Sequence, residues 1–178
     1  MCIRDRSFSV REINQKQVSS PSVFSRFKIR NSLNQKLGAD VLVYDTNGKF
    51  VASGNTFEQV VIPGLRYNVE LNLHRKSVEK IRFNNLRFQG EFEIGFEEVP
   101  NELINIYMKH TNKSYAIDPT KLDFDNATVT AIAQGRELYK CKDYNFTKRE
   151  CFGSFEKIMD LTPGEEYSFI LTPEDPLY

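Results

Sequence analysis

Hydrophobic and polar positions alternate along much of this chain with a period of two. Phe24, Arg26, Lys28 and Arg30 interleave with Ser25, Phe27 and Ile29. Alternation of this kind puts successive side chains on opposite faces of a strand, whereas a helix repeats every 3.6 residues. Asp40-Val41-Leu42-Val43-Tyr44-Asp45 is a β-branched and aromatic run, followed by Thr46-Asn47-Gly48 and then Lys49-Phe50-Val51-Ala52-Ser53. Asn-Gly between two such runs predicts a hairpin, because both residues accept positive φ. Further strands are predicted at 57–62, 67–73, 78–83, 86–88 and 91–97, where Phe92-Glu93-Ile94-Gly95-Phe96 alternates strictly. About seven short strands in 80 residues is the spacing of a β-sandwich.

Pro100 marks a break. Residues 102–109 (ELINIYMK) fit a short helix or a strand, and the strand is the preferred reading. A second series follows at 114–117, 127–133, 137–144, 151–159 and 167–171. Two modules are therefore expected, at 22–100 and 101–178, as tandem antiparallel β-sandwiches of immunoglobulin-like or prealbumin-like type. The second reads as immunoglobulin/fibronectin-III-like, truncated at its C-terminal end. Residues 7–22 are polar and end Ser19-Ser20-Pro21-Ser22, which reads as a linker. Met1-Cys2-Ile3-Arg4-Asp5-Arg6 resembles the translation of a sequencing adapter, so 1–6 is expected to be foreign to the fold; the alternative is a native N-terminus.

One pattern recurs at an offset of 100 residues. Pro63-Gly64-Leu65-Arg66-Tyr67-Asn68-Val69-Glu70-Leu71 matches Pro163-Gly164-Glu165-Glu166-Tyr167-Ser168-Phe169-Ile170-Leu171 as P-G-x-x-Y-x-Φ-x-L. Pro-Gly turns the chain, and Tyr, Φ and Leu then fall on one side of the next strand. Tyr67 and Tyr167 are read as tyrosine corners, with buried rings whose hydroxyls tie back to nearby backbone.

Composition narrows the function. The 178 residues carry 24 Lys plus Arg and 24 Asp plus Glu, so the net charge is zero. That argues against a nucleic-acid binder and against a polybasic membrane-surface module. Residues 1–100 hold 15 basic and 11 acidic side chains and residues 101–178 hold 9 and 13, which agrees with a boundary near 100. No apolar run approaches the ~18 residues of a membrane span. With 2 His and 3 Cys, rich zinc sites are excluded.

The first module resembles the transthyretin-like or carboxypeptidase-regulatory-like β-sandwiches. The resemblance rests on Ala39-Asp40-Val41-Leu42-Val43-Tyr44-Asp45-Thr46-Asn47-Gly48-Lys49-Phe50-Val51-Ala52 and Val61-Ile62-Pro63-Gly64-Leu65-Arg66-Tyr67-Asn68-Val69. It covers about a third of the module. Some relatives close an internal Lys–Asn bond; Lys28 is the candidate donor here, but the strand at 91–97 has no Asn. The second module resembles a β-sandwich of large multidomain surface proteins of uncultured small-genome archaea. The matching stretches are Tyr115–Thr120, Asn126–Thr130, Leu138–Thr147, Cys151–Gly164 and Leu171–Pro176. Tyr144 and Phe155 stand where that pattern often has Trp, and an aromatic is kept at each. What this implies is an extracellular or cell-surface location more than an activity.

Chemistry-bearing residues are few. Cys141 and Cys151 flank a strand–turn–strand stretch. If they face each other across a hairpin, Tyr144 pairs with Lys148, Asn145-Phe146-Thr147 is the loop, and a disulfide is in reach. It would contribute about 2–3 kcal/mol and imply an oxidising compartment. Free thiols and a metal pair are the alternatives. Cys2 belongs to the leader.

Asn112, Asn126 and Asn145 stand in N-x-S/T sequons, with Asn145 at the proposed hairpin tip. They are N-glycosylation candidates or simply turn asparagines. Asp118, Asp123 and Asp125 share a loop and are Ca²⁺ candidates, against ordinary loop acids, since the spacing lacks a central Gly. His74 and His110 read as solvated surface groups, with no nucleophile beside them in sequence. Tyr44, Tyr107 and Tyr115 could stack on sugars or belong to the core.

No P-loop, G-x-S-x-G elbow, dinucleotide fingerprint or H-E-x-x-H occurs. The expectation is a non-catalytic structural or adhesive module of a secreted or cell-surface protein, without cofactor. Its partners would be neighbouring domains and cell-surface glycans or proteins, not nucleic acid. The alternative is a carbohydrate-binding accessory module of a surface hydrolase, and a third reading is a transport or enzyme domain of the transthyretin-like class.

Overall fold

The computed structural model describes residues 22–63, 65–74, 77–88, 91–104 and 111–173. The fold is all-β. In chain order the elements are β1 (Ser22–Arg30), β2 (Lys36–Leu37), β3 (Ala39–Tyr44), β4 (Phe50–Asn55), β5 (Gln59–Pro63), β6 (Arg66–Leu73), β7 (Val78–Arg87) and β8 (Glu91–Val99). Then come α1 (Asn101–Ile104), β9 (Ser114–Asp118), β10 (Asn126–Ile132), β11 (Glu137–Cys141), β12 (Tyr144–Asn145), β13 (Glu150–Cys151), β14 (Phe155–Asp160) and β15 (Glu166–Leu171).

Six strands form one sheet in the order β15-β10-β7-β6-β3-β4, and every neighbouring pair in it is antiparallel. A second sheet runs β2-β1-β8-β9, with β5 also paired to β1. Alternation is visible in the burial: Val41 and Val43 on β3, Val69 and Leu71 on β6, and Ile81 and Phe83 on β7 are all at zero exposure. Two rows of inward-facing positions cross the large sheet from edge to edge. One is Ala52, Val43, Val69, Phe83, Ala127 and Leu171; the other is Gly54, Val41, Leu71, Ile81, Val129 and Phe169. Phe27, Ile29, Phe92, Ile94 and Ile117 of the second sheet join them in a single apolar cluster. Phe83 and Phe92 meet edge-to-face across the sheets at 5.6 Å between ring centres. Burial of such rows is the main drive for folding.

The expected division into two tandem sandwiches near residue 100 needs correction. Strands on either side of that point share both sheets, because β7 pairs with β10 and β8 with β9. The main cluster draws on residues from Phe27 to Leu171. Here long-range pairing overrides the local break at Pro100. The recurring P-G-x-x-Y pattern opens β6 and β15, which lie in the same sheet, flanking the β7–β10 pair.

Three local expectations also change. The pairing is not wholly antiparallel: β1 runs parallel to β8. Complementary charge fits that choice, since Lys28 bonds Glu91 at 2.8 Å, Arg30 approaches Glu93 at 3.4 Å, and Lys121 adds a 2.7 Å contact to Glu93. Residues 101–104 are helical, with Leu103 donating its N–H to the Pro100 carbonyl at 3.0 Å; residues 105–110 lie outside the described set. In the β3–β4 turn only Gly48 takes positive φ, at 84°. Asp45 holds the turn instead, its carboxylate accepting from the N–H groups of Asn47 and Lys49 at 2.9 and 2.8 Å.

Candidate functional site: an aromatic and polar cleft at one end of the sheets

The disulfide is present: Cys141 and Cys151 are bonded, with Cα atoms 6.1 Å apart. The surrounding register differs from the expected hairpin. Tyr144 pairs with Cys151 and Asn145 with Glu150, so the turn is 146–149, while Cys141 pairs across to Phe155 on β14. The bond thus closes a small hairpin set between β11 and β14. That hairpin lies on β8 and β9. Val99, Ile104, Ala116, Cys141, Tyr144 and Cys151 form a second, smaller apolar cluster there, against which Phe146 packs. Arg149 reaches the buried Glu97 carboxylate at 2.7 Å. Gly95 leaves room for the Phe146 ring; a Cβ there would lie 2.9 Å from it and 2.8 Å from Cβ of Asp118. Burial pushes the Tyr144 hydroxyl up to about 12, with the Glu97 charge adding to the effect and Arg149 opposing it.

Beside this hairpin lies a cavity of about 350 Å³. Its walls come from β9, the end of β10, the turn 134–136, β11, the start of β14 and β15. The aromatic part consists of Tyr115, Tyr139, Phe155 and Tyr167. Tyr115 and Tyr167 join hydroxyls at 2.9 Å, linking the two sheets. Burial raises the Tyr167 hydroxyl above the usual tyrosine range, against a smaller opposing effect of the Tyr115 bond. Tyr139 donates to Glu137 at 2.9 Å, and that bond raises its own hydroxyl. Glu137 is held below the usual carboxylate range, first by Lys157 at 2.6 Å and then by Tyr139. On the rim, Asn112 donates its side-chain amide to the Gln134 carbonyl at 2.8 Å.

Among the described residues, the charged side chains of the lining are Lys113, Arg136 and Glu137. Lys113 meets Glu98 at 3.3 Å. Burial works against the Glu98 charge, but Ser77 donates both its hydroxyl and its N–H at 2.7 Å, and the net effect lowers the carboxyl. Arg136 is exposed, and its guanidinium makes no ion pair or hydrogen bond among the described residues.

The residues singled out from sequence distribute unevenly. Tyr167 and Tyr115 reach the cleft, but Tyr115 is 97% buried by its 3% exposure, not a surface platform. The Tyr167 hydroxyl bonds Tyr115 rather than nearby backbone. Tyr67 is buried and tilts against Phe88, with ring centres 6.0 Å apart; burial raises its hydroxyl, with Asp45 adding to the effect.

Asp118, Asp123 and Asp125 do not converge. Asp118 accepts from Thr120 at 2.6 Å, Asp123 faces Arg87 at 3.7 Å, and Asp125 accepts from Asn85 at 3.0 Å. Among the described residues no three His, Cys, Asp or Glu are placed to hold a metal. Asn145 is not at a tip; it sits in β12 and its side-chain oxygen accepts from the Lys148 N–H at 2.8 Å. Asn112 is on the cleft rim, and Asn126 begins β10, accepting from Asn84 at 2.7 Å. His74 contacts Asp40 at 3.0 Å on the exposed surface. Lys28, the candidate donor of an internal bond, is engaged with Glu91. Tyr44 stacks edge-on to Phe50 at 6.0 Å beneath Arg82. His110 and Tyr107 lie outside the described residues.

Arg136, Glu137 and Tyr139 were not anticipated as site residues. The only sequence signal was weak: Glu137 and Tyr139 share one face of a strand by their spacing of two.

No helix among the described residues is long and apolar enough to cross a membrane. Compared with protein-family models, curated proteins and solved structures, the chain matches none.

Proposed function

We propose that this chain is a non-catalytic structural or adhesive module of a secreted or cell-surface protein, with an immunoglobulin-like or prealbumin-like sandwich as its scaffold. The observation that carries the reading is the disulfide-closed hairpin seated on a continuous two-sheet core. A disulfide persists in oxidising compartments and is rare in reducing ones. Its effect here is to hold a short surface hairpin rigidly against β8 and β9. Neighbouring domains and cell-surface glycans or proteins are the partners that such a module meets. Thiol titration of non-reduced protein from a secretory host, opened in denaturant because Cys141 and Cys151 are buried in the fold, checks the premise. One reactive thiol, that of Cys2, is expected, with Cys141 and Cys151 paired; three reactive thiols would remove the argument for an extracellular setting.

A second reading is favoured by the cleft: a carbohydrate-binding accessory module. Aromatic rings beside fixed polar groups suit a ligand with an apolar face and hydroxyl edges. A glycan panel tests it directly. Binding by the intact chain supports this reading, and silence across the panel leaves the structural one.

A further inference from the structure

We infer that the cleft between β9, β11 and β15 takes a carboxylated sugar, with Arg136 as its carboxylate anchor. This rests on the carbohydrate-binding reading of the same cleft. Its volume of about 350 Å³ falls at the lower end of small-molecule pockets, which run from about 300 to 1,000 Å³. That suits a short saccharide rather than a long polymer groove.

The argument comes from the charges in the wall. Lys113 is engaged by Glu98, and Glu98 is satisfied further by Ser77. Glu137 is engaged by both Lys157 and Tyr139, and Lys157 is also bound by the outward-lying Asp160 at 2.6 Å. Arg136 alone among the charged lining side chains is left without a partner in the described residues. A guanidinium presents a planar fork of donors that matches a carboxylate with two parallel bonds. Arg136 is thus the lining cation whose donors are open to a carboxylate.

The remaining groups favour a sugar over a simple organic anion. Tyr139 is half-buried, so it keeps part of its ring in the cleft for the C–H face of a pyranose. The Tyr139 ring is oriented in advance by its hydroxyl bond to Glu137. Gln134 sits at the rim, where the Asn112 bond to its carbonyl leaves its side-chain amide available to hydroxyl groups. Arg136 itself follows Gly135 in a tight turn whose position is held by the Leu161 N–H bonding to the Arg136 carbonyl at 2.7 Å.

The test titrates the intact chain with trigalacturonate and with neutral maltotriose, following backbone amide resonances and calorimetric affinity. Trigalacturonate is expected to move the resonances of Gln134, Gly135 and Tyr139, to bind more tightly than maltotriose, and to weaken as salt is added. Arg136→Gln is expected to weaken trigalacturonate by about tenfold or more, the cost of losing a charge-assisted pair, and to leave maltotriose unchanged. Lys49→Gln, in the distant β3–β4 turn, should change neither. Equal binding of the two sugars, or an acidic preference that survives Arg136→Gln, would overturn the assignment of the anchor while leaving a sugar-binding cleft. Binding of neither sugar at the cleft would overturn both that reading and the inference. Arg136 is on the surface, so loss of the fold does not confound the variant; unchanged amide spectra away from the cleft verify this.

Discussion

The central core and the disulfide-closed hairpin hold their shape by different means. The core is built from six-strand rows whose members come from distant parts of the chain, and its residues are almost wholly excluded from water. Removing any one leaves a cavity that neighbours on both sheets can fill only in part. The hairpin on β8 and β9 has few apolar residues, and relies on a covalent bond, one ion pair to a buried carboxylate and one glycine that lets a ring approach. Area stabilises the first region, whereas specific links stabilise the second. The cleft lies beside the second, where exposed polar groups cost least.

The sharpest break of this contrast is Phe83→Ala. Phe83 lies at zero exposure, edge-on to both Phe92 and Phe124. The loss should be about 3–5 kcal/mol and global, seen as a lower denaturant midpoint with all probes moving together. Replacing both Cys141 and Cys151 by Ser should cost about 2–3 kcal/mol by the loop-closure argument. That loss should appear first as faster amide exchange within residues 141–151, with the large sheet still protected. If the core rows exchange at the same rate as the hairpin, the two regions are one cooperative unit and the comparison fails.

Smaller effects sharpen the boundary. Gly95→Ala should cost about 1–3 kcal/mol by overpacking, because the added Cβ meets the Phe146 ring. Its signature is displacement of the hairpin, readable as a shifted Phe146 ring resonance. Arg149→Gln should cost about 1–3 kcal/mol, toward the lower end since the Arg149 side chain is 27% exposed, by leaving Glu97 buried without its partner.

Acid is the mildest probe. Glu98 has a folded-state carboxyl below its unfolded value, so its contribution is present above the unfolded value of about 4.3 and is lost as pH falls through the folded one. Urea midpoints measured downward from neutral pH should decline across that window, and Glu98→Gln should flatten the decline slightly.

Most strands were readable in the pattern of side chains. β3, β6, β8, β10 and β15 stand within a residue or two of where alternation places them, because each is half-buried and one face must be apolar. The Cys pair was readable too, since two cysteines around a short turn have little choice of partner. The misses share a cause. Parallel pairing of β1 with β8, the joining of both halves in one sheet, and the offset of Tyr144 onto Cys151 all depend on which strand lies alongside. Nothing local encodes that choice.

The cleft was less legible than the fold. Tyr167 was marked by the recurring pattern, but its hydroxyl partner Tyr115 is 52 residues away and on the other sheet. Arg136 looked like any turn residue, and it stands out only because the other charged groups of the wall have found partners.

The order of hydrophobic and polar residues, by itself, determined an all-β chain, the inward face of its main strands and the cysteine pair. Those properties follow from the pleat and from short-range geometry. Only the tertiary structure decided that the strands before and after Pro100 form shared sheets around one main core. Apolar surface gains most when long rows are completed across both sheets, and that gain outweighs a local break in the chain. It also decided that four aromatic side chains and a guanidinium without an ion pair among the described residues line the same small cavity.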